Sequence, residues 1–226
     1  CNIASYCTQS VVQHVFAVLL SLTHHIAEYQ QMLRSGAWRD SPQFCLLDFP
    51  IRELSGLTLG VVGLGELGSA VARMGEAFGM RVIAAQRPGC EDPDPDRVPL
   101  EQLLRRSDVV SLHCPLTDQT RDLMGQRELS LMKRDAILIN TARGGLVDSA
   151  ALADCLRRGG LAGAAIDVLS QEPPIDGDPL LADDLPNLLV TPHIAWAARE
   201  ARQRAVDEIA ANILSFLSGG RRQRVV

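Results

Sequence analysis

Lysine is nearly missing from this chain. Of 22 basic residues among 226, only Lys133 is a lysine, and the rest are arginines. A guanidinium cannot deprotonate to act as an imine-forming amine, so lysine-based covalent chemistry has a single candidate. Aromatic residues are also scarce, at 4%. The longest apolar run, Val15–Leu22, falls well short of the roughly 20 residues a bilayer span needs, and no secretion-signal pattern precedes it. The cysteines, Cys1, Cys7, Cys45, Cys90, Cys114 and Cys155, include no CxxC pair and no histidine at ligand spacing. That argues against a metal site or a disulfide scaffold, and for reduced thiols in a cytoplasmic protein. Positive charge is not in excess either: 27 acidic residues give a net charge of -5. Binding to nucleic acid or to an anionic membrane needs clustered cations, so neither is expected as a partner. What is present is a globular composition, with 46% hydrophobic and 22% charged residues, enough for one large or two modest domains with a real core.

Apolar residues at Val11, Val15, Leu19, Leu22, Ile26, Tyr29 and Leu33 step by three and four. This spacing predicts one long amphipathic helix stopped by Gly36. A second row, Val12, Phe16 and Leu20, widens the stripe and suggests packing on two sides, against a domain and a partner chain. Residues 37–56, with Pro42 and Pro50, read as a connecting loop. Short β-type runs then recur at Leu57–Val62, Met80–Ala85, Asp108–His113, Ala136–Asn140, Leu161–Val168 and Asn187–Val190. Helical stretches lie between most of them, at Leu67–Phe78, Leu100–Arg106, Gln126–Met132 and Ser149–Arg158. Such alternation predicts an α/β fold, a doubly wound parallel sheet covered on both faces. The stretch Pro88–Pro99, with Glu91, Asp92, Asp94 and Asp96, reads as an acidic surface loop, and a last helix is expected over Ala197–Leu217.

The first strand runs directly into Gly63-Leu64-Gly65-Glu66-Leu67-Gly68 and then a helix. In that setting Gly63 makes the tight turn, Gly65 leaves room for a pyrophosphate, and Gly68 lets helix and strand pack closely, while the helix N-terminus supplies NH groups. The second strand ends in Gln86-Arg87, where an NAD site has an acidic residue on the ribose. A neutral amide beside a guanidinium favours a 2'-phosphate, hence NADP(H) over NAD(H). The acidic loop works against that preference if it folds back, and Arg87 paired with its carboxylates is the plain alternative.

Three further segments follow strands: Asn140–Asp148 after the fourth, Gln171–Pro174 after the fifth, and Thr191–Trp196 after the sixth. Strand carboxyl ends are where open α/β sheets bind ligands. Arg143 offers a planar fork for a substrate carboxylate. His193 can give or take the proton exchanged when a hydroxyl becomes a carbonyl. Glu172 is placed to hydrogen-bond that ring, orient it and favour the imidazolium. Each has an ordinary explanation alone, as a surface cation, a solvated loop charge and a loop histidine; three together on one sheet do not. His14, His24 and His25 read as helix-surface or packing residues, and His113 as a loop-ordering residue.

The Gly63–Gly68 turn, His113-Cys114-Pro115-Leu116-Thr117, Asn140–Asp148, Asp167–Pro173 and Pro192–Ala195 resemble the D-2-hydroxyacid dehydrogenase family, in its glycerate dehydrogenase (hydroxypyruvate reductase) branch. The resemblance implies reversible reduction of a small 2-oxo acid to a D-2-hydroxy acid, with His193 protonating the oxygen and Arg143 holding the carboxylate. It also implies cofactor contacts at Cys114 and Pro115 near the adenosine, at Thr120, at Thr141 and Ala142 on the nicotinamide side, at Asp167 to the carboxamide, and at Thr8 near the nicotinamide end. Asp167 capping a turn is the competing reading. Trp196 is expected to shape the pocket or to pack. Gln13 stands where the family commonly has an acid. By the same resemblance residues 1–6 are the crossover from an N-terminal substrate lobe, 7–195 the dinucleotide-binding domain, and 196–226 a helix returning to that lobe. The 226 residues alone are then expected to bind cofactor but turn over poorly. A homodimer joined through the long helix and the Trp38 loop is implied. A nicotinamide-sensing corepressor scaffold and a phosphoglycerate or formate dehydrogenase are the alternatives; Glu172 argues against formate oxidation.

Overall fold

The computed structural model describes residues 2–87, 94 and 96–223. Six strands, β1 (Thr58–Val62), β2 (Arg81–Ala84), β3 (Val109–Leu112), β4 (Ile137–Asn140), β5 (Gly163–Ile166) and β6 (Leu188–Val190), form one sheet in the order β2-β1-β3-β4-β5-β6. Every pairing is parallel. The inner strands β1, β3, β4 and β5 are buried throughout, whereas β2 and β6 at the edges are partly exposed. This accounts for the continuous apolar texture that made them legible as strands. Beyond β2, Val98 makes a single parallel bridge to Ala85. It is the remnant of an outer strand, and with it the order becomes that of a dinucleotide-binding doubly wound sheet. Most of the acidic stretch inferred before it, residues 88–93 and 95, lies outside the described residues. Asp94 and Asp96 are exposed, and Asp94 pairs with Arg97 at 3.0 Å.

Helices cover both faces. α1 (Thr8–Thr23) and α3 (Glu66–Ala77) enclose one core with Val11, Val15, Leu19, Val61, Val71 and Ile139. α4 (Leu100–Arg106), α5 (Gln126–Leu131) and α6 (Ser149–Arg157) enclose the other with Leu104, Leu112, Leu138 and Leu152. α7 (Arg199–Leu217) runs apart from both cores, with only Ala201 and Asn212 buried.

The long first helix is a correction. It breaks after Thr23, and α2 (Ile26–Arg34) leaves at 55°. The Thr23 hydroxyl bonds back to the Leu19 carbonyl at 3.0 Å, and His25 takes a left-handed conformation, φ 51. His25 stacks on Phe49, with ring centroids 5.2 Å apart, and Tyr29 donates to the Phe49 carbonyl at 3.2 Å. The bend is therefore set by a loop residue some 20 positions on, with no glycine or proline to announce it. Among the described residues no single helix is long and apolar enough to cross a membrane.

Candidate active site

β1 enters its turn at Gly63, φ 99, where a β-carbon would stand 2.5 Å from the Cys114 amide nitrogen. Only glycine permits that approach between the two loops at the sheet's switch point. At Gly68 a β-carbon would meet the Gly63 carbonyl oxygen at 2.0 Å, so α3 sits directly on its strand. Gly65 differs, since its β-carbon would enter open space. This vacant approach to the N-terminus of α3 is the cradle an anion needs. Gly63, Leu64, Gly65, Gln86, Arg87, Cys114, Pro115 and Thr120 line one cavity of about 370 Å³. Arg97 lines it too, which the sequence did not signal. Thr120 is buried and donates to the Pro115 carbonyl at 2.7 Å, fixing the shape of that wall.

The other turn residues face elsewhere. Leu67 packs against the α1 core. The Glu66 carboxylate accepts hydrogen bonds from Ser5 at 2.8 Å and from Thr8. It thereby joins the start of α1 to the turn, and the Thr8 hydroxyl is spent on it.

Two strands away on the same edge, Glu172 Oε2 lies 2.7 Å from His193 Nδ1. Glu172 Oε1 accepts from the Leu169 amide at 2.9 Å, so the carboxylate is itself held. The Nδ1 proton belongs to this bond, and Nε2 is left for substrate. Both side chains, with Asp167, line a second cavity of about 480 Å³ whose other walls include Leu169, Pro174, Leu181 and Val190. Arg143, at the end of β4, is exposed and donates to the Ala142 carbonyl at 2.6 Å. It shares the edge with the Glu172–His193 pair but makes no hydrogen bond to it. Asn140 shapes the Arg143 turn, accepting from the Ala142 amide at 3.0 Å and donating to the Arg143 carbonyl at 2.9 Å. Gly144 then presses this turn against the neighbouring one: its β-carbon would lie 2.0 Å from the Leu169 carbonyl carbon. Trp196 packs edge-on against Tyr6 at 6.3 Å.

Asp167 is 2% exposed. Its carboxylate accepts from Thr191 Oγ1 at 2.5 Å, Ile194 N at 2.9 Å and Ala195 N at 2.8 Å, all in the loop carrying His193. His14 joins this group, with Nε2 3.2 Å from Thr191 Oγ1, a contact that helical spacing alone does not predict. His113 bonds back to its own strand, its Nε2 lying 2.8 Å from Ser111 Oγ of β3, while Nδ1 is buried without a partner. Burial lowers its pKa to about 4, so the ring is neutral at physiological pH. Burial pushes the Cys114 thiol up and makes it a poor nucleophile.

A nicotinamide dinucleotide fits these residues. Beyond the open Gly65 cradle, the Thr141 hydroxyl at the end of β4 is buried with no hydrogen-bond partner, as expected of a group awaiting a polar ligand. A phosphate cradle at the switch point and a carboxylate-held histidine on the same edge are what nicotinamide-dependent oxidoreductases use, and this domain is of that class. Comparison with known proteins narrows it. The family model described as "D-isomer specific 2-hydroxyacid dehydrogenase, NAD binding domain" matches residues 16–195, and the chain belongs to that family. It is 46% identical over 218 residues to glycerate dehydrogenase of Methylorubrum extorquens, covering 96% of this chain and 68% of that protein. It is 38% identical over 221 residues to hydroxypyruvate reductase of Blautia hydrogenotrophica, with the same coverages, 96% and 68%. A solved acyclic imino acid reductase in complex with NADPH and D-Arg superposes with a TM-score of 0.86 at 32% identity, covering 100% of this chain and 70% of that one. The chain thus spans about two thirds of the length of these relatives.

Proposed function

We propose that this chain catalyses reversible reduction of a small 2-oxo acid of the hydroxypyruvate or glyoxylate type to the D-2-hydroxy acid. The observation that carries the reading is the 2.7 Å bond between His193 Nδ1 and Glu172 Oε2, which leaves Nε2 as the proton donor at the substrate oxygen. A bound nicotinamide cofactor supplies the hydride for C2. Glu172 keeps the ring oriented through its bond to Nδ1, and Arg143 holds the substrate carboxylate after leaving its bond to Ala142. In the oxidative direction His193 takes the hydroxyl proton back at Nε2.

Gly63, Leu64, Gly65, Glu66, Leu67 and Gly68 form the pyrophosphate turn, Cys114, Pro115 and Thr120 the adenosine wall, and Thr141 and Ala142 the nicotinamide side, whereas the bonds of the Asp167 carboxylate to the His193 loop favour its turn-capping reading and the Thr8 hydroxyl is held by Glu66. NADP(H) is preferred over NAD(H) because Gln86 brings no charge against a 2'-phosphate while Arg87 and Arg97 border the cavity. Residues 7–195 act as the dinucleotide-binding domain, with 1–6 and 196–226 facing a substrate lobe. α7 supports that division by exposing Val206, Ile209, Ile213, Phe216 and Leu217. The exposed Trp38, Phe44 and Leu47 of the loop after α2 supply a homodimer contact. The test is His193→Ala in the full-length protein. Turnover of hydroxypyruvate should fall about a thousandfold, with NADPH affinity by fluorescence titration unchanged. Undiminished turnover would overturn the assignment.

A further inference from the structure

The loop that carries the catalytic imidazole holds a disfavoured backbone. His193 has φ 53, the left-handed region that a β-carbon penalises, and such a conformation persists only where its surroundings over-determine it. Asp167 supplies part of the restraint, through its carbonyl to the His193 amide at 2.8 Å and its carboxylate to the next two amides. The rest comes from α1. Ser10, 8% exposed, donates to the Ala195 carbonyl at 2.6 Å and accepts from the Ala198 amide at 3.3 Å. One turn further on the same helix face, His14 Nε2 reaches Thr191 Oγ1 at 3.2 Å and stands 3.7 Å from Asp167 Oδ1. Proton accounting sets the direction of this chain. Thr191 has one hydroxyl proton and gives it to Asp167 Oδ1, so the proton between His14 and Thr191 must sit on His14 Nε2. Ser10 and His14 therefore grip the loop on both sides of His193, and neither touches the cavity where substrate is read.

We propose that Ser10 and His14 are positioning residues for proton donation by His193: by tying residues 191–198 to α1 they keep the imidazole on its bond to Glu172. The proposal rests on the reading of His193 as proton donor. A packing role for His14 is the competing account, and it makes a different demand. Leucine would fill the space, but it would leave the Thr191–Asp167 pair without its donor.

The experiment compares His14→Leu, His14→Gln and Ser10→Ala in the full-length protein with NADPH and hydroxypyruvate. Alongside the kinetics, the Nδ1 proton of His193 is followed by NMR, assigned by its loss in His193→Ala. In His14→Leu, kcat should fall about tenfold to a hundredfold, with KM and the NADPH dissociation constant within about twofold, and the Nδ1 proton signal should broaden or vanish. His14→Gln keeps an N–H near the Nε2 position and should restore most of both. Ser10→Ala should resemble a milder His14→Leu. If His14→Leu does not fold, the other two variants decide by the same readouts. Wild-type kcat in the variants, a kcat loss with the Nδ1 signal intact, no rescue by glutamine, or a loss confined to NADPH affinity would each overturn the proposal. An unimpaired His193→Ala enzyme would instead sink the reading of the reaction, while the NMR signal would still report on the loop.

Discussion

The two halves of the sheet edge are built by opposite means. The nucleotide half, from β1 to the loop after β3, works by what its residues lack: Gly63 and Gly68 permit close contact, and Gly65 leaves a space. The catalytic half, from β4 to the loop after β6, works by side chains that find one another, Asn140 with its own turn, Glu172 with His193, Asp167 with Thr191 and two amides. A gap needs only its own short segment. A network needs three strand ends and α1 in register, so the catalytic half should be the more easily broken at a distance.

The largest expected effect beyond the loss of His193 is at Gly144, where the two kinds of construction meet. Gly144→Ala would set a β-carbon against the Leu169 backbone. It should cost about 3 kcal/mol of stability by overpacking, read by urea unfolding, and should lower kcat while NADPH binding to the folded fraction persists. A variant of wild-type stability would show that the Arg143 and Glu172 turns are not coupled through this contact.

A pH effect of similar size is expected in the nucleotide half. His113 has its folded-state pKa lowered by burial to about 4, against an ordinary 6.5. The unfolded chain therefore takes up this proton first as pH falls. The contribution to stability is complete above about pH 6.5 and is lost between there and about pH 4, up to about 3 kcal/mol. Denaturant unfolding over that range should show the slope, and His113→Asn should flatten it.

Smaller changes test cofactor selection. Arg87→Ala should weaken NADPH binding about tenfold with little effect on NADH, the difference of one charge-assisted pair; equal losses for both would reassign Arg87 to a surface contact. Glu66→Gln should tighten both dinucleotides a few-fold, since a carboxylate beside the N-terminus of α3 opposes the pyrophosphate charge. Weaker binding would mean that its bonds to Ser5 and Thr8 matter more to the turn than its charge does.

Legibility followed the same division. The glycine turn, the buried strands and the order of strand and helix could be read directly, because a tight turn and a doubly buried strand each leave a local mark. Arg143, Glu172 and His193 were legible as strand-end residues and by family resemblance, and so was the pairing of the last two, which the fold brings to 2.7 Å across 21 residues of chain; what stayed hidden was how the Leu169 amide and the Asp167 carboxylate hold the pair in place. The contact of His14 with the His193 loop was not legible because nothing in Val12-Gln13-His14 states which loop lies across that helix face. The break at Thr23 escaped because its cause includes Phe49, packed against His25 from a different segment. Arg97 escaped because the bridge from Val98 to Ala85 that sets its neighbour beside β2 leaves no mark in the sequence.

By itself the amino-acid order determined the parallel sheet, the switch point and the phosphate turn, for these depend on the periodicity of apolar residues and on where glycine removes a β-carbon. Folding in three dimensions decided which polar groups meet: the tautomer of His193, the burial of Asp167 and the hold of α1 on the catalytic loop. Hydrogen bonds act over about 3 Å whatever the separation along the chain, so their pairing exists only once the strands have been laid side by side.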